Sequence, residues 1–541
     1  MSGLMAGAPT FDTIIVGAGS AGCVLAGRLS VDPSRRILLV EAGGQPPEAA
    51  AIPSDWPTLF DTHVDWGFHT EAQPGCRGRR IFWPRGRMLG GSGSMNAMIY
   101  MRGLASDYDG WVAMGCLGWA FEDVLPAFLF SEDNPKFAGD PWHGTGGPLH
   151  VEDCSWLDPG EDAFVAAAEA AGHAHNPDFN GARQEGVGTY QFTIRGGERW
   201  GTFRAYLEPA LARPNLTVKT GVTTTRIRID KGRAQGIDCL VEGRQVRFDA
   251  PQVIVSAGAI GSPQLLLLSG IGPADELATI GIAPVADLPG VGKDLQDRIN
   301  IQISFAAREP IGIGAWSDAD MAASLEEWRR ARTGPRVSPF VAAGGHVCSR
   351  FAEEPDLQLY GAVSPHRDYA RFLYSGAGFT LHSTLQRPKS RGEIRLRSAD
   401  PLEAPMIDPC YFLGEEARID LDTLVEGVEI NRAIAAKEPL AGMISHELSP
   451  SAECRSLEAI ARHVRGHCST LYHPSSSCRM GRDGLAVTDP ETFGVHGVDG
   501  LAVVDASVFP RMISANLNAT VVMVAERAAA RFGAPGLETI A

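Results

Sequence analysis

The sequence predicts an α/β unit of parallel strands continuing into a second, α+β half built on an antiparallel sheet. Three observations carry that expectation. A strand, glycine turn, helix and strand open the chain between Phe11 and Gly43. A charge-free strand-and-helix stretch follows at Val253 to Gly272. From about Ile299 to Ala452, short strand-like runs are interrupted by two helical stretches.

In the opening unit, Ile14 to Val16 reads as a buried strand. It runs into Gly17-x-Gly19-x-x-Gly22, with Ser20 inside the turn, and then into a helical stripe of Cys23, Val24, Ala26, Gly27 and Leu29. Gly17 permits the tight turn, Gly19 admits a pyrophosphate close to the backbone, and Gly22 lets helix and strand pack. The free N–H groups and positive end of that helix then face two phosphates. The strand Ile37 to Val40 ends in Glu41, where an acid accepts ribose hydroxyls about 20 residues past the glycines. This is a Rossmann-like dinucleotide unit. Its acid disfavours NADP by repelling a 2′-phosphate, and the unit by itself leaves NAD and FAD both open.

The 541-residue length allows two or more domains, and 44% hydrophobic with 21% charged residues is a globular composition. A net charge of −16 repels nucleic acid and anionic membrane surfaces, so neither is an expected partner. Ten cysteines in so long a chain, with no Cys-x-x-Cys pair, point to a reduced compartment. No Lys or Arg precedes Arg28 and no signal peptide is visible, so the expected location is cytoplasmic, with peripheral membrane association left open. Val253 to Gly272 approaches the length of a membrane span. It is broken by Gly258, Gly261, Pro263 and Gly270, and reads as strand, turn and a buried helix opened by Pro263; no integral membrane segment is expected.

Pro84 to Tyr100 is the second informative block. Four glycines and three small polar residues between Gly86 and Asn96 suit a loop whose amides lie against a flat polar ligand. The apolar run Ala97 to Met101 after it reads as helix-like. Asn215 to Ile229 and Gly236 to Asp249 alternate as in a β-meander, and Glu161 to Ala171 is an alanine-rich helix. Strand-like runs at Asp356 to Val363, Gly378 to Gln386 and Gly392 to Arg397, with helices at 317–330 and 415–435, suggest the antiparallel half.

Gly86-Arg-Met-Leu-Gly-Gly-Ser-Gly-Ser-Met-Asn96 resembles the first signature of the glucose–methanol–choline (GMC) flavoprotein oxidoreductases, and Gly258 through Gly272 fits the second at every fixed position. Arg387 to Pro401 and the segment after His473 continue the likeness, which runs from about residue 11 to 535. It implies an α/β FAD-binding domain of GMC type with a second α+β substrate domain on an antiparallel sheet. The FAD-binding domain is expected from 1–155, 200–300 and 455–541, and the substrate domain from 156–199 and 301–454. The resemblance implies FAD contacts at Gly17, Gly19, Ser20, Gly22, Glu41, Ala42, Arg85, Met88, Gly90, Gly91, Ser94, Asn96, Met98, Val222, Ala257, Gly258, Asp505, Ala506, Asn518 and Thr520. Members with covalent flavin carry histidine just before the asparagine. Met95 stands there, which implies non-covalent FAD.

The resemblance also names His473 as the catalytic histidine and Asn516 as its partner. Chemistry agrees: oxidising an alcohol removes an O–H proton and a C–H hydride, and a neutral imidazole takes the proton near neutral pH. An amide N–H from Asn516 steadies the developing alkoxide. Ser476-Ser477 stands where the family often has Gly-Thr. His143, within His143-Gly-Thr-Gly-Gly-Pro-Leu149, reads as a structural turn residue. His463 and His467 stand four apart without completing a metal set, and no Gly-x-Ser-x-Gly elbow supports a hydrolase. The expected substrate is a small alcohol, with primary alcohols favoured, and the electron acceptor a quinone, a dye-like carrier or O2. An oxidase and a lyase without flavin redox stay open as alternatives, and so does the oligomeric state.

Overall fold

The computed structural model describes residues 11–368, 371–451 and 453–540; the reading of the extreme amino terminus lies outside them. Strand β1 (Thr13–Val16), helix α1 (Ser20–Leu29) and strand β2 (Ile37–Val40) form the opening unit. Two further strands, β3 (Leu216–Lys219) and β4 (Gln252–Val255), the helix α2 (Gly258–Leu268) and a last strand, β5 (Leu501–Val503), complete a five-stranded parallel sheet. Its order is β3-β2-β1-β4-β5. Every residue of β1 and β2 is buried, as expected of parallel strands covered on both faces. Helix α3 (Leu517–Arg531) packs on α1, and Arg28 closes that contact with a half-buried ion pair to the buried Glu526 at 2.7 Å.

Three sequence readings change. Asn215 to Ile229 is not one meander strand: β3 leaves to join the parallel sheet, pairing Leu216 with Ile37. After the left-handed turn at Gly221, the meander is formed by Val222–Asp230, Arg233–Val241 and Arg244–Asp249. Ala97 to Met101 is not helical: Met98 takes a left-handed turn at φ +61° into the short strand Ile99–Tyr100. Ile99 and Tyr100 pair with Phe192 and Gln191, and that long-range pairing fixes the run as strand. Pro263 lies inside α2 instead of opening it. Proline there leaves the Ala259 carbonyl without its donor four residues on. The Ser477 hydroxyl donates to that carbonyl at 2.6 Å, which gives one of the serines in the Ser476-Ser477 pair a structural role.

The antiparallel half is a seven-stranded sheet. Along it run Ile444–Ser449, Ile299–Ala307, Gly378–Leu385, Leu357–Ala362, Ala343–Val347 and Gly186–Thr189, and Ser469–Thr470 also pairs with the second of these. The helices Pro159–Ala170 and Arg418–Ala435 pack on it. Among the described residues, no helix is long and apolar enough to cross a membrane.

His143 sits in a buried polar knot. Its Nδ1 lies 2.9 Å from Glu132 Oε1 and its Nε2 3.0 Å from Asp178 Oδ2, while Arg102 pairs with the same Glu132. Burial lowers the His143 pKa, but the bonds to Asp178 and Glu132 outweigh it and raise the group to about 9. A raised histidine pKa makes its stabilising contribution below the unfolded value near 6.5, and loses it as pH rises through 9. Thermal unfolding should therefore show stability falling between about pH 6.5 and 9, and His143→Gln should flatten that slope.

Candidate active site

The segments that follow the carboxyl ends of the parallel strands converge on one cavity of about 700 Å3, where ligands of open α/β sheets bind. Gly17, Gly19 and Ser20 come from the turn after β1, Glu41 and Ala42 from the end of β2, and Ser256 to Gly258 from the end of β4. Gly17 adopts φ +96°, a left-handed conformation that glycine takes at little cost. A side chain at Gly22 would place its Cβ 1.9 Å from the Gly17 carbonyl oxygen, so α1 rests directly on the turn. Glu41 accepts from the Ala18 and Gly43 backbone amides at 2.9 and 2.8 Å. A carboxylate has about four acceptor sites. Acceptor capacity therefore remains for hydroxyls. Burial raises the Glu41 pKa against the opposing pull of those amides.

The glycine-rich block lies over this turn. A Cβ on Gly91 would come within 2.7 Å of Gly19 Cα, so only two bare backbones fit there. Asn96 accepts from the Met98 amide at 3.0 Å and from Arg199 at 2.6 Å. Its carbonyl is thereby used, and its amide N–H2 is left to donate. Ser20 Oγ donates to Asn518 Oδ1 at 2.6 Å, joining α1 to α3. Asp505 accepts from the Gly258 amide at 2.9 Å and from the Ser262 hydroxyl, locking the start of α2 to the end of β5.

Of the residues expected to contact a dinucleotide, Gly17, Gly19, Ser20, Glu41, Ala42, Arg85, Gly91, Asn96, Met98, Val222, Ala257, Gly258, Asp505, Ala506 and Asn518 line the cavity. Five lie behind its wall. Gly22 supports the turn, Met88 is buried in an apolar cluster with Trp56 and Phe60, and Gly90 packs against Ser94. Ser94 donates to the Leu89 carbonyl at 2.8 Å, and Thr520 is 2.8 Å from the Tyr108 hydroxyl. Their polar groups are used in holding the loops.

His473 and Asn516 face the same cavity. Tyr472, at φ +66°, turns the chain before the histidine, whose backbone N–H donates to Asp297 Oδ1 at 2.9 Å. Its ring Nδ1 is buried without a hydrogen-bond partner. Burial first, then the cations Arg298 and Arg85, hold the imidazole pKa well below 6.5. Asn516 is the N-cap residue of α3, yet its side chain makes no capping bond. It turns instead to Gln358 at 3.1 Å and Tyr360 at 3.4 Å.

Sequence reasoning missed the far wall. Tyr360 and His382 face each other across two strands, with the His366 ring 5.3 Å from that of His382. Burial lowers both histidines, His366 to about 4, so that wall is uncharged. Trp56 and Phe60 add aromatic surface. No spacing motif marks these residues. His463 and His467 stack at 4.2 Å on the helix Leu457–His467, away from this cavity.

A glycine-cradled dinucleotide cavity closed by an antiparallel sheet, with a half-buried histidine held neutral, defines a cofactor-dependent oxidoreductase architecture. The GMC oxidoreductase family matches over residues 11–300 and again over 388–525, and the chain belongs to that family. It is 40% identical to alcohol dehydrogenase [acceptor] of Pseudomonas putida, over 96% of this chain and 95% of that one. Mouse mitochondrial choline dehydrogenase is 39% identical, over 98% and 91%. Among solved structures, pyridoxine 4-oxidase from Mesorbium loti superposes with a TM-score of 0.87 at 31% identity, covering 97% and 99%. A formate oxidase variant of Aspergillus oryzae, studied for FAD modification, superposes at 0.90 with 25% identity, covering 98% and 99%.

Proposed function

We propose that the protein oxidises a small alcohol, with primary alcohols favoured, to the carbonyl compound using non-covalently held FAD, and passes the electrons to an acceptor other than NAD. The observation that carries this reading is the His473 imidazole, which lines the same cavity as the glycine cradle and is held neutral by burial and two nearby cations. The family likeness supports it, with relatives named as alcohol and choline dehydrogenases.

The cavity residues fit FAD. Gly17, Gly19 and the start of α1 would hold the pyrophosphate, Glu41 the ribose, and the Gly91 to Asn96 loop with Asn518 the flavin side. Met95 offers no ring nitrogen for a covalent link, and its side chain packs in the apolar cluster of Trp56 and Phe60. When bound, FAD accepts the hydride. His473 removes the hydroxyl proton, and the neutral form needed for that is the one burial favours. Asn516 donates to the oxygen as charge builds on it. The uncharged wall of Tyr360, His366 and His382 sets where the alcohol carbon lies. In this reading, residues 1–155, 200–300 and 455–541 hold the cofactor, and 156–199 with 301–454 shape the substrate side.

The test is an anaerobic visible spectrum of the purified protein before and after primary and secondary alcohols. Bleaching of the flavin bands by one class is the expected result, and readmitted air then separates an oxidase from a dehydrogenase. A bound flavin that no alcohol bleaches sinks the proposal.

A further inference from the structure

We propose that Gln358, held by Arg298, fixes which way the Asn516 amide faces, so that its N–H2 group and not its carbonyl meets the alcohol oxygen. The proposal rests on the alcohol-oxidation reading and makes Gln358 a positioning residue for it.

A side-chain amide carries a donor group and an acceptor group of nearly equal shape, so only its neighbours decide its orientation. Here the decision starts from a group with no ambiguity. Arginine only donates. Arg298 is fully buried and donates through Nη2 to Gln358 Oε1 at 2.8 Å and through Nε to the Leu385 carbonyl at 3.3 Å. With its oxygen turned to Arg298, Gln358 has only its N–H2 end left, and this donates to Asn516 Oδ1 at 3.1 Å. The Asn516 oxygen is then used as well. Its Nδ2 is left for the cavity, where the Tyr360 hydroxyl lies 3.4 Å away.

The strand geometry makes this possible. Gln358 and Tyr360 are two apart on Leu357–Ala362, so both project from one face of the sheet, toward the first turn of α3. Gln358 is fully buried, and a buried polar chain in a low dielectric tolerates little reorientation. The missing N-cap bond agrees, because Asn516 gives up a common helix-capping contact to join this relay. A reversed amide would present its negative end to an oxygen that gains negative charge, and so oppose the reaction.

The test is a double-mutant cycle on the limiting rate of anaerobic flavin bleaching, using an alcohol that bleaches the wild type. Gln358→Leu should lower that rate about tenfold or more with little change in half-saturating alcohol, while the bound-flavin spectrum persists. In an Asn516→Ala background, the same change should alter the rate by less than about twofold, because the group it positions is gone. Gln358→Glu keeps the shape but can only accept from both neighbours. It should slow bleaching at least as much as leucine. By offsetting the Arg298 charge it should also move the acidic limb of the rate upward in pH, while the cycle with Asn516→Ala separates positioning from a merely structural role. Equal losses in both backgrounds, or a Gln358→Leu rate within about twofold of wild type, overturn the relay. If the leucine variant loses its flavin, the glutamate variant decides through the same cycle. Equal bleaching by wild type and His473→Ala would overturn the parent reading and this one together, whereas an additive cycle overturns the relay alone.

Discussion

His473→Ala is expected to slow bleaching of the bound flavin by alcohol about 10²- to 10⁴-fold, the range a positioned general base supplies. The flavin should stay bound. The contact that anchors this turn, from the His473 backbone N–H to Asp297, does not need the imidazole. The ring nitrogen has no other partner to abandon, so the loss falls on chemistry rather than on folding. The pH dependence follows from the same surroundings. Burial, Arg298 and Arg85 depress the imidazole pKa, so the unprotonated base prevails throughout neutral pH. The acidic limb of kcat/KM belongs below pH 6.5 and should vanish in the variant's residual rate. A stopped-flow pH series on both proteins checks this, and an undiminished rate in the variant would remove His473 from the mechanism.

Gly22→Ala should be severely damaging for a single added methyl group. Its Cβ would lie 1.9 Å from the Gly17 carbonyl oxygen and 3.0 Å from the carbonyl carbon, both rigid backbone atoms of the phosphate turn. The clash is relieved only by lifting α1 away from β1, which spoils both the core beneath and the cradle above. A cost above about 3 kcal/mol is expected, beyond ordinary overpacking of a core. The purified variant should contain little flavin. Gly44→Ala is the matched control, since no atom lies within 4 Å of its added Cβ. It should shift stability by no more than about 0.5 kcal/mol. Flavin-to-protein absorbance and thermal unfolding of the two variants make the comparison. A flavin-replete Gly22→Ala would show that the contact between α1 and the turn is looser than drawn.

Much of the cofactor half was legible because its constraints are local. A tight turn needs glycine at Gly17, and helix and turn meet where Gly22 stands. An acid ends the second strand within the same short segment. Those requirements act between residues a few positions apart, so the linear chain displays them. Pro263 misled for a related reason. Proline marks a helix start when only its own backbone is considered, but the Ser477 hydroxyl, 218 residues from the Ala259 carbonyl it binds, supplies the bond that lets the helix continue through it. Likewise, Asn215 to Lys219 alternates like its meander neighbours, and only the register with Ile37 places it in the parallel sheet.

The candidate site divides along the same line. The sequence by itself predicted a dinucleotide cradle at Gly17 to Gly22, an acid at Glu41 and, through family likeness, His473 with Asn516 as the reacting pair. Tertiary structure alone decided which polar groups face the cavity. Ser94 and Thr520 spend their hydroxyls on loop and helix contacts, while Tyr360, His366 and His382 form the wall opposite the cradle. It also joined Gln358 to Asn516 across 158 residues of chain. The physical reason is register. The pairing of strands distant in sequence sets which alternate residues share a face, and no local propensity encodes that choice.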